Sequence, residues 1–121
     1  MAFDAILQGF SAPASTNLSG NQYCAVIFDT NGNIALATSA KNMDGILQDN
    51  PTSGDAGYVA VNGIAKGLLG GTVTTGQQVQ VGSSGAFVAF SSGVAVGKAL
   101  SGGASGNIIS ILLYKGNGLY S

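Results

Sequence analysis

The sequence contains no glutamate, arginine, histidine or tryptophan, and its only charged side chains are five aspartates and four lysines. Histidine and carboxylates of tuned pKa carry most proton transfer near neutral pH, and arginine has the geometry for bidentate capture of phosphate or carboxylate. These absences remove most of the chemistry that enzymes use. We therefore expect a protein that acts by contact, with no catalytic residues, no cofactor and no bound metal.

Cysteine and long apolar runs are also scarce. The single cysteine, Cys24, cannot form an intrachain disulfide, and its place in the apolar run 23–28 (YCAVIF) predicts a small buried side chain. No apolar run approaches the roughly 20 residues of a membrane-spanning helix. The N-terminus lacks the positive charge and apolar core of a secretory signal. We expect a soluble protein, made in a cytoplasm, without a membrane partner.

The charge balance also limits the choice of partner. The formal net charge is −1 and the four lysines are scattered, so the chain offers no basic patch for a phosphate backbone and nucleic acid is excluded as an expected partner. Low net charge gives little protection against self-association. The surface is therefore expected to meet copies of itself or another protein, and we favour a homo-oligomer or an assembly component.

Small polar residues and short apolar runs are what the chain does contain. Gly, Ser, Thr and Asn make up 49 of the 121 residues, whereas Leu, Ile, Val and Phe make up 32, enough for one core. Apolar runs recur at intervals of roughly 8–12 residues with turn residues between them, and no amphipathic segment has the length of a crossover helix. This pattern predicts an all-β fold, a compact small β-barrel or sandwich of short strands.

Three segments of the sequence predict particular strands and turns. Asn31-Gly32 separates the runs 23–28 and 34–37 and predicts a β-hairpin. Asn62-Gly63 predicts a turn or bulge inside the apolar stretch 57–69. The run 108–114 is the longest apolar and β-branched segment, and we expect it to be a central strand of the core.

The first 22 residues differ from the rest, so we divide the chain into an extended N-terminal arm, 1–22, and a single β-domain, 23–121. The arm has helix-like apolar spacing but no cap or charge support, so it needs packing against something else. Its apolar side chains are the candidate contacts with a partner: Phe3, Ile6, Leu7 and Phe10.

Other candidate sites have simpler structural explanations. The glycine clusters lack the lysine and helix of a phosphate-binding loop, and turns explain them better. Asp44, Asp49 and Asp55 could supply calcium ligands, but their spacing does not match a calcium loop and Asx turns account for them. Tyr58 and Tyr114 could form a sugar-binding platform, although half-buried strand aromatics explain them as well.

Four passages carry a resemblance to a known family. They are residues 45–66 (GILQDNPTSGDAGYVAVNGIAK), 70–79 (GGTVTTGQQV), 96–100 (VGKAL) and 106–113 (GNIISILL). Their order resembles that of the capsid decoration, or cement, proteins of tailed bacteriophages, over roughly residues 45–113. Two positions depart from the family pattern, because Gln77 and Asn107 stand where acids are usual.

The resemblance implies a β-domain, commonly trimeric, that sits on the outer capsid surface of the virion and clamps neighbouring coat subunits. It implies the major capsid (coat) protein and the chain itself, as a homotrimer, as partners, and no catalytic residue. The protein would be made in the cytoplasm of a bacterial host. In some relatives an N-terminal arm pairs with coat-protein strands, in the manner of β-strand addition. A carbohydrate- or receptor-binding module of a virion fibre remains the alternative function.

Overall fold

The computed structural model describes residues 5–114. In that part of the chain, nine strands form one mostly antiparallel sheet, and the helical structure is a single 3₁₀ turn at 83–85. The all-β prediction is confirmed. In chain order the strands are β1 (Ala5–Pro13), β2 (Ala25–Phe28), β3 (Ile34–Leu36), β4 (Gly45–Leu47), β5 (Ala56–Leu68), β6 (Gln78–Val81), β7 (Phe87–Ala89), β8 (Gly97–Ala99) and β9 (Ile108–Leu113).

The long strand β5 organises the sheet, whose order is β3-β2-β4-β5-β9-β8-β6-β7 with β1 paired to β5. Ala60 has partners in β1 and β4, and Ile64 has partners in β1 and β9. Because a strand has two edges, β1 occupies one edge of β5, and β4 and β9 follow each other along the opposite edge. The sheet curls at both ends, since β3 bridges to Ala14 and β7 bridges to Leu69.

A double irregularity in the β1–β5 ladder divides β5 into two parts. The register passes from Ile6↔Gly63 through Gln8↔Asn62 to Gly9↔Ala60. Gly63 has a φ of +98°, a conformation that favours glycine, and its N–H donates to Asn62 Oδ1 at 2.9 Å. The bulge predicted at Asn62-Gly63 is thus confirmed. Because it adds a residue, the side-chain alternation along β5 reverses across it.

Two apolar cores lie on opposite faces of the part of the sheet that contains β2, β4 and the beginning of β5. The larger core is formed by sixteen buried residues, mainly from β5 to β9. The smaller core contains Ala14, Leu18, Val26, Ile34, Leu47 and Val59. Neighbouring residues of β2, β4 and β5 contribute alternately to the two cores, so both faces of these strands are covered. This is why the sequence runs apolar without alternation through β2.

The β2–β3 hairpin forms as predicted from Asn31-Gly32. The two strands pair antiparallel from Val26↔Leu36 to Phe28↔Ile34. Gly32 has a φ of +79°, and Asp29 Oδ1 accepts hydrogen bonds from the N–H groups of Asn31 and Asn33, both at 2.9 Å. The aspartate is thus used to hold the turn.

Candidate interaction surfaces

Residues of the predicted arm form β1, and the outer edge of this strand is open along most of its length. Ala14, which directly follows β1, donates its N–H to Asp55 O and accepts a hydrogen bond from Gly54 N, both at 2.9 Å, so its backbone points toward the β5 side. Backbone groups alternate in direction along a strand. The N–H and C=O groups of Ser11 and Gly9 therefore point away from β5.

Among the described residues, no strand pairs with this outer edge between positions 5 and 11. Pairing on that side begins only beyond β1, where Ser15 donates its N–H to Ile34 O at 2.8 Å. β1 carries no charged residue, and charges are a common protection of edge strands against pairing with other chains. The edge is consequently a template for an additional strand.

The four predicted contact residues of the arm differ in where the structure places them. Ile6 is half-buried against the larger core. Phe10 is half-buried against the smaller core, with its ring centroid 4.0 Å from that of Phe28 and the ring planes tilted by 33°. Leu7 is the extra residue of β1 between Ile6 and Gln8, and Phe3 lies outside the described residues. Contact of these four residues with a coat protein or neighbouring subunit stays a prediction.

Tyr58 helps to hold β1 in place. A Cβ atom at Gly9 would collide with the Tyr58 hydroxyl and come within 2.8 Å of Val59 O, so only glycine fits beneath this ring. Tyr58 remains 37% exposed. The other tyrosine proposed for sugar binding, Tyr114, accepts a hydrogen bond from Gln78 Nε2 at 3.0 Å. Each ring thus contacts its own sheet.

A second surface lies on the side of β5, β9 and β8 that faces away from the larger core. Pairing places Ile64 opposite Leu112, and Leu68 opposite Ile108, with their side chains on the same face. Leu100 follows β8 on this face, donating its N–H to Ser110 O at 2.9 Å. Ile108 is 43% exposed and Leu112 is 38% exposed. We call Ile64, Leu68, Leu100, Ile108 and Leu112 the outer apolar face.

Sequence reasoning missed the outer apolar face. The prediction of a central strand in the run 108–114 is confirmed, since β9 pairs with β5 on one side and β8 on the other. Its odd-numbered residues are buried in the larger core, whereas Ile108 and Leu112 are exposed. An uninterrupted apolar run does not show which face lacks a cover. The sequence signal for an exposed face was the presence of two lysines, Lys66 and Lys98, in the strands that pair with β9, because lysine side chains are rarely buried.

A cleft of about 130 Å³ opens where the edge of β5 passes from β4 to β9. Residues 42–45 form one wall, Ala95, Val96, Leu113 and Tyr114 form the other, and Val61 lies between them. Its one carboxylate, on Asp44, already accepts the N–H of Phe28 through Oδ2 at 2.8 Å. The cleft thus offers room for a small group, beside a carboxylate that already holds the backbone of β2.

The aspartates considered as calcium ligands hold loops instead. Asp49 Oδ1 accepts the N–H of Tyr58 at 3.1 Å, and Asp55 Oδ2 accepts the hydroxyl of Thr52. Within residues 5–114, no three His, Cys, Asp or Glu side chains are grouped so that they could hold a metal ion. Over the same residues, no helix is long and apolar enough to cross a membrane.

Cys24 occupies the buried position expected of a small apolar side chain, with 2% of its surface exposed. Burial raises the pKa of its thiol, and a hydrogen bond with the Asn21 side chain acts in the opposite direction. A thiol of raised pKa holds less of the reactive thiolate at neutral pH. Cys24 therefore lacks the properties of a nucleophile.

Two turns repeat one local structure. Gly76 and Gly106 have φ values of +87° and +91°. Gln77 Oε1 accepts the N–H of Thr74, and Asn107 Oδ1 accepts the N–H of Ala104, both at 2.9 Å. The turns are linked by a pair of hydrogen bonds between Val73 and Gly103, each 2.9 Å.

This geometry gives a structural role to Gln77 and Asn107, the two positions at which the sequence differs from the proteins it resembles. An amide oxygen and a carboxylate oxygen are both acceptors for a backbone N–H. In each turn the amide oxygen bonds to the residue three positions earlier. Gln77 and Asn107 therefore hold their turns without the charge that the usual acids would bring.

Comparison with known proteins gives a likeness of fold. No protein-family model matches the chain. No curated protein matches it in sequence. Among solved structures, the chain is similar to the N base of head fiber gp8.5 of bacteriophage phi29, with a TM-score of 0.76 and 16% sequence identity. The match covers 91% of this chain and 96% of that chain. The two share an all-β fold, and membership of the decoration protein family stays a prediction.

Proposed function

We propose that this protein is a structural component of a bacteriophage virion, a decoration or cement protein that binds the outer surface of the head and stabilises the coat lattice. The observation that carries the proposal is the fold likeness to the N base of a phage head fiber, which extends over 91% of the chain. The sequence resemblance to decoration proteins over roughly residues 45–113 supports the same role independently. The partners are the major capsid protein and other copies of this chain.

The open edge of β1 is the attachment element in this proposal. A strand of the coat protein adds to the outward backbone groups of Gly9 and Ser11, and side-chain pockets along the strand give selectivity. Ile6 and Phe10 keep β1 seated on its own sheet, so the edge is presented already in the extended conformation. Such preorganisation lowers the entropic cost of binding.

Repetition strengthens the attachment. As a homotrimer on the head, the protein presents three such edges, and each bound edge raises the effective concentration of the others at their sites. Weak single contacts then give durable attachment. This mechanism needs few charges, in keeping with a chain that has nine charged side chains. The same scarcity supports a role without catalysis, nucleic acid or membrane.

The experiment that tests attachment through β1 removes the backbone N–H of Ser11, which points away from β5. Ser11→Pro removes an outward N–H and leaves the β1–β5 hydrogen bonds in place, and proline is tolerated on strand edges. We expect this variant to bind empty heads of the virus that encodes it at least about tenfold more weakly in co-sedimentation, because backbone hydrogen bonds supply much of the affinity of strand addition.

Ser11→Ala is the matched control, since it keeps the N–H and should bind as the unmodified protein does. Unfolding by heat, followed by circular dichroism, verifies that both variants fold. Equal binding by Ser11→Pro would exclude the β1 edge as the attachment element. Absence of binding by the unmodified protein would overturn the decoration role itself.

A receptor- or carbohydrate-binding module of a virion fibre is the second candidate, favoured by the fact that the similar structure is part of a head fiber. It requires Tyr58 or Tyr114 to stack on a sugar ring. A glycan array distinguishes the two proposals. Saturable binding that is lost in Tyr58→Ala or Tyr114→Ala, together with no binding to heads, would favour the fibre module.

A further inference from the structure

The outer apolar face lies at the centre of the sheet and not at an edge. β9 is paired on both sides, yet Ile108 and Leu112 leave 43% and 38% of their surfaces exposed. Three half-buried aliphatic side chains, Ile64, Leu68 and Leu100, adjoin them. Exposed apolar side chains grouped on one face of a sheet mark a candidate interaction site.

Polar side chains border this patch. On one side of the patch, Lys98 pairs with Leu112 and with Gln78. On the other side, Lys66 lies opposite Ser110, the fully buried middle residue of the face. An apolar centre with a polar border is the usual anatomy of a protein–protein interface. Since the border carries two lysines and no acid, the face favours a partner surface that is acidic.

The chain itself carries acidic groups outside this face. Residues 56–114 contain Lys66 and Lys98 and no acid, whereas residues 23–55 contain four aspartates and only Lys41. Asp44 and Asp55 are exposed while they hold their loops. The two segments of one molecule are thus opposite in charge, so every copy carries exposed carboxylates that complement the lysines of the outer apolar face.

We propose that the outer apolar face binds a second copy of this chain, with its lysines meeting exposed aspartates of residues 23–55 of that copy. The arrangement is head to tail. Contact of the face with itself would place like charges, Lys98 against Lys98, beside an apolar centre, which costs affinity. Head-to-tail contacts form a ring when the rotation between copies closes. The inference deepens the homo-oligomeric part of the proposed function and rests on it.

The test is the mass of the full chain in solution, measured by sedimentation equilibrium without heads. The unmodified protein is expected to associate. Leu112→Asp should raise the dissociation constant at least about 30-fold, as loss of a central interface residue does. Lys98→Asp should weaken association about tenfold or more, because it turns attraction to an acidic surface into repulsion. Thr72→Asp, a change at an exposed residue of the loop between β5 and β6, is the matched control and should leave the mass unchanged.

A cysteine scan tests the head-to-tail geometry. Cys24 is buried, so Leu112→Cys introduces the accessible thiol. Under oxidised glutathione, a disulfide between two Leu112→Cys positions should not form, because in a head-to-tail ring this position faces residues 23–55 of the next copy. Efficient formation of that disulfide would overturn the head-to-tail arrangement.

Two results separate this inference from the decoration role. A protein that stays monomeric at its highest soluble concentration, yet binds heads, would overturn the proposed self-contact and leave the decoration role standing. A protein that associates through the outer apolar face but ignores heads would do the reverse. Lys98→Asp with unchanged or stronger association would also overturn the proposal, since it would exclude an acidic partner surface. Circular dichroism confirms the fold of each variant.

Discussion

The two parts of β5, before and after its bulge, are built from similar residues but have different surroundings. Before the bulge, Val59 and Ala60 point to opposite faces and both are buried, at 1% and 0% exposure. After it, Ala65 is fully buried, whereas Ile64 and Leu68 belong to a face that solvent reaches. The difference in burial comes from the elements that pack over each part of β5, and not from the residues of β5 itself.

The cover of the first part comes from the N-terminal segment. Phe10 of β1, with Ala14 and Leu18 after it, closes the smaller core over Val59. Nothing equivalent covers the second part among the described residues. The segment separated as an arm from the sequence is therefore also a lid for one core. Whether residues 1–22 act as a distinct unit stays a prediction.

A pair of identical truncations provides the largest contrast between the two parts. Leu47→Ala removes a fully buried side chain from the smaller core and should cost about 3 kcal/mol of unfolding free energy. Leu112→Ala removes a side chain that is 38% exposed and should cost less than about 1 kcal/mol in the dissociated protein. Urea unfolding at low protein concentration measures both. Equal losses would show that the outer apolar face is covered in the monomer.

The bulge that joins the two parts offers the second test. Gly63→Ala places a Cβ at a φ of +98°, which should cost about 1–2 kcal/mol of unfolding free energy. Asn62→Ala, which removes only the acceptor for the Gly63 N–H, is the comparison and should cost less, about 1 kcal/mol. Thermal unfolding would contradict the assignment if the alanine at position 63 were tolerated without loss.

The smallest expected effect concerns the repeated turns of the second part. Asn107→Ala removes the acceptor of the Ala104 N–H and should cost about 0.5–1 kcal/mol, because the turn is exposed and water replaces the bond in part. Asn107→Asp keeps an acceptor oxygen and should remain within about 0.5 kcal/mol of the unmodified protein. Urea unfolding that ranked the aspartate with the alanine would show that the amide nitrogen, not the oxygen, holds the turn.

The sequence was sufficient where local chemistry decides the structure. Asn31-Gly32 specified a hairpin because both its turn residues and its flanking apolar runs are short-range signals. Asn62-Gly63 indicated an irregularity for the same reason. The apolar run of β9 indicated a central strand, which it is.

Long-range pairing explains what could not be predicted. The spacing of Ile6 and Phe10 resembled a helix, but these residues lie in a strand because β5 offers an edge some 50 residues later in the chain. Leu112 is likewise exposed because no described element packs over it. An apolar residue type does not reveal whether another element covers it. Local patterns gave the strands, and tertiary contacts decided which faces they cover.

The pairing of β5 with both β1 and β9 also determines when the sheet can form. The middle strand needs partners from near the beginning and near the end of the described chain, so most of its contacts join residues far apart in sequence. Topologies with such distant contacts fold slowly, because the entropy of closing long loops is lost before the contacts form. During synthesis, the second part of β5 has no β9 to pair with until the last described strand leaves the ribosome. Folding of the sheet is therefore expected to be completed only after β9 has left the ribosome.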